Sequence, residues 1–286
     1  MNKIKYFFQF IFVIVMFLIF KILGIKLGSL LGGKLFQIIG PIFRSKKLIF
    51  ENIRRALPNI SKNELISIYN SMWENYGRVF AEYVFMKKFR NDQLTENISI
   101  EGKEILQEII IKNQKVIFIS GHFSNFELMA MQIEKMGVKV AAIYRPLNNL
   151  YLNSIMEKIR KKYICEHQIK KGVGGLKELI KLNKEGFSTA LMIDQRVSQG
   201  IKSSFFNQEA YTTTIPAQLV KKFGMSVVPI FIERFDEIKF KMTVYKPLSF
   251  EENESIENIT NKLNRILEKM ILKNPNYWIW SHNRWK

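Results

Sequence analysis

The feature that most constrains this chain is an apolar run of helix-forming length near its N-terminus. Tyr6 to Phe20 reads YFFQFIFVIVMFLIF, which contains a single strongly polar side chain. A bilayer core needs about 20 apolar helical residues, so the run spans only if Lys21 extends toward the headgroups or the helix continues past it. Lys3 and Lys5 resemble the basic start of a signal peptide, but no small-residue cleavage site follows. We therefore predict an uncleaved membrane anchor over residues 1–24.

The charge distribution predicts on which side of the membrane the rest of the chain lies. The first 50 residues contain eight basic residues and no acidic one, and six of the eight follow the apolar run. The positive-inside rule then favours a cytoplasmic main domain. The next segment, residues 24–43, is apolar and glycine-rich. It is expected either to lie in the interface beside anionic lipid or to form a buried helical hairpin.

The whole chain is strongly basic, with 44 Lys and Arg against 25 Asp and Glu and a formal net charge of +19. Such an excess implies an acidic partner, which is anionic lipid, an acidic protein or nucleic acid. No aromatic and basic RNA-binding motif is present, so nucleic acid is not expected. The single cysteine, Cys165, excludes an internal disulfide. No cluster of ligating side chains indicates a metal site.

Strand and helix patterns alternate from residue 100 onward. Before them, Ser61 and Glu64 form a capping box that begins a helix predicted to end at Phe85. The predicted strands cover residues 116–120, 138–144, 188–193, 227–232 and 239–245. The predicted helices cover residues 103–112, 126–136, 150–163, 175–184, 216–223 and 256–273. This alternation predicts an α/β fold with a mostly parallel central sheet flanked by helices, which follows the N-terminal membrane helix.

His122 and Glu127 form the pair with the clearest chemical meaning. His122 follows the strand pattern VIFIS, and ligand sites in open α/β sheets lie beyond the carboxyl ends of strands. A turn before the next helix allows the imidazole and the Glu127 carboxylate to meet. A neutral histidine can take a proton from an attacking hydroxyl, while a carboxylate on its other nitrogen fixes the tautomer. We predict a catalytic dyad that needs no protein nucleophile.

Other polar residues also follow strand patterns. Arg145 ends VKVAAIY and is a candidate for binding a phosphate or polarising a thioester carbonyl, with a surface salt bridge as the alternative. Asp194 and Gln195 end STALMI and are expected to hold the acceptor, to brace Arg145 or to be purely structural. Residues 205–214, FFNQEAYTTT, are expected either to line an acyl tunnel or to form a loop packed on the core.

Six blocks occur in the order found in one known family. They are HFSNFE, YRPLNN, LMIDQ, FFNQEAYTT, VVPIF and the terminal WIWSHNRWK. In these blocks the chain resembles the lipid A biosynthesis late acyltransferases of the lauroyl and myristoyl type, which belong to the lysophospholipid acyltransferase superfamily. The resemblance covers the whole length. Asn207 departs from the glycine that the family commonly has at this point.

The resemblance implies an inner-membrane enzyme whose acyltransferase domain, residues 25–286, faces the cytoplasm. It implies transfer of a fatty acyl chain from acyl carrier protein, or from coenzyme A, to a hydroxyl of an acylated lipid A precursor, without a cofactor. It implies His122 as the general base, Glu127 as its partner, and Arg145 as an active-site cation. Asn148, in the block YRPLNN, is a further candidate for substrate binding.

Two alternatives remain at this stage. An acyltransferase of this type could use another lipid or glycolipid acceptor, because enzymes that acylate phosphatidylinositol mannosides share these motifs. A basic, membrane-tethered binding module without catalysis would also explain the charge. Replacement of His122 separates the two classes, since a binding module keeps its function without that histidine.

Overall fold

The computed structural model of the protein describes residues 2–286. It begins with helix α1, Asn2–Phe43, which is broken at Gly24, where φ is +77°. Within the described residues, α1 is the one helix long and apolar enough to cross a bilayer, and only 11% of its most apolar window is buried. A core helix would be mostly buried, so this composition and exposure are consistent with membrane anchoring. The anchor over residues 1–24 stays a prediction.

The part of α1 after the break packs on the rest of the protein. Helix α2, Lys46–Ala56, follows, and then helix α3, Lys62–Glu82, which begins with the predicted capping box of Ser61 and Glu64. α1 and α3 approach closely at Gly32 and Gly77, where a Cβ on Gly32 would lie 2.4 Å from the Gly77 carbonyl oxygen. Glycine at this crossing therefore lets the two backbones touch. This segment is a docked helix that still exposes Ile38 and Ile42.

Seven strands form one central sheet. In chain order they are β1 (Ile98–Glu101), β2 (Val116–Ser120), β3 (Val140–Tyr144), β4 (His167–Lys170), β5 (Ser188–Met192), β8 (Ser226–Asp236) and β9 (Lys239–Val244). Two further strands, β6 (Ile201–Phe205) and β7 (Gln208–Thr212), pair with each other as an antiparallel hairpin. The sheet order is β1-β9-β8-β2-β5-β3-β4, and every pair is parallel except β8 with β9.

Helices separate most of these strands. They are α4 (Met86–Arg90), α5 (Lys103–Ile111), α6 (Glu127–Lys135), α7 (Leu150–Ile159), α8 (Val173–Lys184), α9 (Ile215–Phe223) and α10 (Ile256–Lys273). A π-helical turn, Arg160–Ile164, continues α7. β2 is buried along its whole length, as expected for a central strand covered on both faces. The predicted α/β fold with a mostly parallel sheet flanked by helices is confirmed.

The segment 205–214 packs on the core, as one of the two sequence expectations had it, but it is a hairpin and not a plain loop. It is the second half of the β6–β7 hairpin, whose turn residues Phe206 and Asn207 have φ values of +52° and +57°. Two left-handed residues in a row are the signature of a tight hairpin turn, and asparagine tolerates that conformation better than most residues. Asn207 is therefore compatible with the position that glycine commonly holds in the family. Phe205 packs against Trp278 and Trp285 in the core, whereas Thr213 lines the cavity described below.

Candidate active site

The carboxyl ends of three neighbouring parallel strands meet at one edge of the sheet. β5 pairs with β2 on one side and with β3 on the other. His122 follows β2, Arg145 follows β3, and Asp194 follows β5. Because parallel strands end at the same edge, the three segments converge there, as the sequence predicted.

A cavity of about 580 Å³ opens at this edge. Its polar wall includes His122, Glu127, Arg145 and Gln195. Its inner wall is largely apolar and lies between α6 and the strands β2, β3 and β5. The apolar residues of this inner wall include Phe118, Ile119, Met129, Ala130, Ile133, Ala142, Ile143, Ile164, Ala190, Leu191, Met192 and Ile230. An apolar chamber behind a few convergent polar groups is the form expected of a site for a lipid-like substrate.

Asp194 holds His122 by two hydrogen bonds. Its Oδ1 lies 2.8 Å from Nδ1 of the imidazole, and its Oδ2 accepts the backbone N–H of His122 at 2.7 Å. Trp278 Nε1 donates to the same Oδ2 at 2.9 Å. Asp194 is fully buried, whereas His122 is partly exposed at the cavity. The carboxylate therefore fixes the ring orientation and favours a proton on Nδ1, which leaves Nε2 as the free base.

This contact needs a residue without a side chain at position 121. A Cβ on Gly121 would lie 2.9 Å from the Phe123 ring and 3.1 Å from Asp194 Oδ2.

Burial alone would lower the pKa of His122, but the charge and hydrogen bond of Asp194 raise it above its ordinary value. Burial likewise opposes the ionisation of Asp194, yet the His122 ring and the three hydrogen bonds keep its pKa below the ordinary value.

The expected hydrogen bond between His122 and Glu127 is not formed; this part of the sequence prediction was wrong. Glu127 Oε1 instead accepts from Nε and Nη2 of Arg160, at 3.0 Å and 2.6 Å, and from the Tyr83 hydroxyl. The reason is geometric: Asp194, reached through the neighbouring strand, already occupies Nδ1. Glu127 still lies near enough for its charge to raise the pKa of His122.

Arg160 is the ion-pair partner of Glu127, and the sequence did not reveal this pairing. It sits at the start of the π-helical turn and lines the cavity. Burial opposes its charge, but Glu127 raises its pKa well above the ordinary value, so it stays charged. In the sequence it opens a run of three cations, Arg160 to Lys162, which has the appearance of a solvated helix face.

The turn between His122 and Glu127 is held by a buried polar network. Ser124 has φ of +42°, and its hydroxyl accepts the backbone N–H of Arg234 at 3.0 Å. Asn125 Nδ2 donates to Glu82 at 2.8 Å. Glu82 also forms a buried ion pair with Arg234 at 2.7 Å and accepts from Ser29 of α1 at 2.7 Å. The turn is therefore fixed to α1, α3 and β8 at once.

Asp194 is buried and bonds to His122 and Trp278, so it neither braces Arg145 nor faces the acceptor. Arg145 and Asn148 are exposed at the cavity mouth, and Gln195 is partly exposed there. Three more cations, Arg44, Lys171 and Arg196, line the same cavity. Burial, together with the nearby charge of Arg145, lowers the pKa of Lys171. This concentration of positive charge suits an anionic ligand group.

The C-terminal segment supports the same site. Trp278 donates to Asp194, and Arg284 donates to the Tyr211 carbonyl at 2.6 Å and to Thr212 Oγ1 at 2.6 Å. His282 lines the cavity. These residues belong to the terminal block WIWSHNRWK, whose pattern in the sequence indicates no role for any single residue. Across residues 2–286, no group of three His, Cys, Asp or Glu side chains is placed to hold a metal ion.

Comparison with known proteins identifies the family. The model of the family described as "Bacterial lipid A biosynthesis acyltransferase" matches residues 1–286. The chain belongs to this acyltransferase family. Its activity is thus acyl transfer in lipid A biosynthesis, with a lipid A precursor as substrate, and the family match favours an enzyme over a binding module without catalysis.

Individual relatives of this acyltransferase are distant. It is 22% identical to the lipid A biosynthesis lauroyltransferase of Escherichia coli (strain K12), over 85% of this chain and 79% of that one. It is 23% identical to the myristoyltransferase of the same organism, over 85% and 75% of the two chains. The crystal structure of a 1-acyl-sn-glycerophosphate acyltransferase from Thermotoga maritima gives a TM-score of 0.43 at 14% identity, covering 90% of this chain and 100% of that one.

Proposed function

We propose that this protein transfers a fatty acyl chain to a hydroxyl of an acylated lipid A precursor, with His122 as the general base. The donor is acyl carrier protein, which holds the chain as a thioester. The observation that carries the proposal is the His122–Asp194 contact at the mouth of an apolar cavity. A histidine with one nitrogen held by a buried carboxylate presents the other nitrogen as a base. No protein nucleophile is needed, because the acceptor hydroxyl itself attacks.

The proposed reaction follows from that geometry. His122 Nε2 takes the proton of the acceptor hydroxyl while its oxygen attacks the thioester carbonyl carbon. A tetrahedral intermediate forms with a negative oxygen, and Asp194 stabilises the imidazolium produced at His122. The carbon–sulfur bond then breaks, the oxygen–carbon ester bond remains, and the proton on Nε2 passes to the departing thiolate. His122 is neutral again at the end of the cycle.

The second ion pair has a supporting role in this proposal. Glu127 fixes Arg160 at the cavity wall through two hydrogen bonds from the guanidinium. A guanidinium held in this way presents its remaining N–H groups to an anionic part of a substrate. At the mouth, Arg145, Asn148 and Gln195 are placed to contact the polar part of donor or acceptor.

The inner cavity is the proposed place of the acyl chain. Its walls are formed mainly by apolar side chains of α6 beyond Glu127 and of β2, β3 and β5. Burial of an apolar chain there contributes about 0.8 kcal/mol per methylene. The cavity therefore favours a long acyl chain over acetate-sized groups.

Donor choice and membrane placement follow from charge and hydropathy. A chain with a net charge of +19 is suited to an acidic carrier protein and to anionic membrane lipid. Helix α1 and the basic residues around it support an anchor in the inner membrane with the domain, residues 25–286, on the cytoplasmic side.

The experiment that tests the proposal compares donors and acceptors with the purified protein in neutral detergent. Transfer from acyl carrier protein to a lipid A precursor should exceed transfer from coenzyme A, and should weaken as salt screens the encounter. Mass spectrometry of lipid A from cells that lack and regain the protein supplies the second arm. A missing ester-linked chain that returns with the gene supports the proposal, and unchanged lipid A contradicts it.

A further inference from the structure

His282 is a histidine at the cavity whose hydrogen bonding defines its tautomer. Its Nε2 accepts the backbone N–H of Arg196, with the two nitrogens 2.9 Å apart. An imidazole nitrogen that accepts a hydrogen bond carries no proton, so in the neutral ring the proton is on Nδ1. Within residues 2–286, Nδ1 has no hydrogen-bond partner, and it is not among the fully enclosed unsatisfied atoms. His282 lines the cavity, and Nδ1 is the ring nitrogen that the Arg196 hydrogen bond does not occupy.

This ring is held rigidly and stays uncharged. Burial lowers its pKa to about 4, so it is neutral throughout the ordinary assay range. Its backbone carbonyl accepts from Asn52 Nδ2 at 2.9 Å, and its backbone N–H donates to the Ile279 carbonyl at 3.3 Å. A pre-oriented neutral N–H group is a donor that pays no reorganisation when negative charge develops beside it.

The position of His282 connects it to the reacting groups. Arg196, its hydrogen-bond partner, lies two residues after Asp194 on the loop that follows β5. Asp194 and His122 are near enough for their charges to act on the pKa of His282. Two histidines with different tasks thus share one edge of the cavity. His122 is held by a carboxylate as a base, and His282 is held by a backbone N–H as a neutral donor.

We propose that Nδ1–H of His282 donates a hydrogen bond to the negatively charged oxygen of the tetrahedral intermediate. This inference rests on the proposed function, because that oxygen exists only if a thioester carbonyl is attacked in this cavity. The donor neither gains nor loses a proton during the cycle. It stabilises the developing charge, which is the task of an oxyanion-hole donor.

Two nearly isosteric substitutions separate this role from a structural one. His282→Gln places an amide oxygen near the position of Nε2, so it can keep the bond from Arg196 and loses the Nδ1 donor. His282→Asn places an amide N–H near the position of Nδ1, so it can keep the donor and loses the Arg196 contact. We expect Gln to lower kcat by about 10²–10³-fold with KM little changed and thermal unfolding near wild type. Asn should retain more kcat than Gln while unfolding earlier.

The measurement is acyl transfer from acyl carrier protein to a lipid A precursor by each purified full-length variant, with thermal unfolding recorded in parallel. A Gln variant with wild-type kcat, or one that raises KM alone, overturns the inference and leaves the proposed function standing. If the wild-type protein transfers no acyl chain in the same assay, the proposed function itself fails. If both variants unfold early, a His282→Asn variant no more active than Gln also overturns the donor role.

Discussion

Nδ1 of His122 lies 2.8 Å from Oδ1 of Asp194, a residue 72 positions later in the chain. Adjacent parallel strands bring the two together, since β2 leads to the histidine and β5 to the aspartate. This long-range pair takes the place that sequence spacing assigned to His122 and Glu127. Asp194 therefore pairs with His122, and Glu127 pairs with Arg160.

Asp194→Asn should remove the charge that raises the pKa of His122 and leave one acceptor oxygen in place of two. Because Oδ2 already accepts two N–H groups, the amide NH2 should face Nδ1 and disfavour the tautomer that carries its proton there. We expect kcat to fall by about 10³–10⁴-fold, as in other histidines that lose an orienting aspartate. In the wild type, the neutral base should appear as pH rises through a pKa above 6.5, the ordinary value. In the variant the pKa of His122 should be lower, so the residual activity should begin to rise at a lower pH than in the wild type. The pH profile of kcat/KM measures this, with Asp236→Asn, at an exposed position, as the control.

Glu127→Ala and Arg160→Ala should each lower turnover by at least about 10²-fold. The reason is that each variant leaves its partner without the contact that holds it at the cavity wall. Because the two residues act as one unit, the double variant should be little worse than either single variant. Acyl transfer rates of the four proteins complete the cycle. If the fold-loss of the double variant equals the product of the two single losses, the two side chains have separate tasks.

Ala130→Phe should fill part of the apolar chamber between α6 and the sheet. We expect the preferred acyl chain to become shorter, because the added ring takes the space of several methylene groups. The shorter donor provides the internal control, since a folded variant should keep substantial activity with it. An unchanged order of preference across a series of donor lengths would place the acyl chain elsewhere.

Glu82→Ala should leave Arg234 buried without its carboxylate, and it should remove the hydrogen bond that holds Asn125 in the turn between His122 and Glu127. Removing one partner of a buried ion pair costs about 3–5 kcal/mol, so the free energy of unfolding should fall by that order. Ser29→Ala removes one hydrogen bond to the same carboxylate and should cost about 1 kcal/mol. Denaturant unfolding in detergent measures both. Glu209→Ala, which breaks the exposed pair with Lys202, should change stability little.

The fold could be predicted from the sequence because its strongest signals are local. VIFIS became β2 and Ile256–Lys273 became α10 with the expected bounds, since apolar period and caps are written in neighbouring residues. Shorter elements with mixed polarity were missed, including β4 with the sequence HQIK and the β6–β7 hairpin. A four-residue strand gives too few positions for a period to stand out.

The site could be predicted in part, and its partners could not. Strand-end position located His122, Arg145 and Asp194, because parallel strands place their carboxyl ends together. Which carboxylate meets the imidazole depends on the order of strands in the sheet, and β5 lies beside β2 although β3 and β4 come between them in the chain. That order is a tertiary property, so spacing along the chain favoured Glu127.

The central claim is that His122 is the base for acyl transfer to a lipid A precursor. The most direct measurement is turnover of acyl carrier protein-bound acyl chain to that precursor by purified, folded wild type and His122→Ala. His167→Ala serves as the matched control, because His167 lies on β4 and packs against Phe187. We expect His122→Ala to lose at least about 10²-fold in kcat while the control keeps most of its activity. Near-normal turnover by His122→Ala would contradict the account.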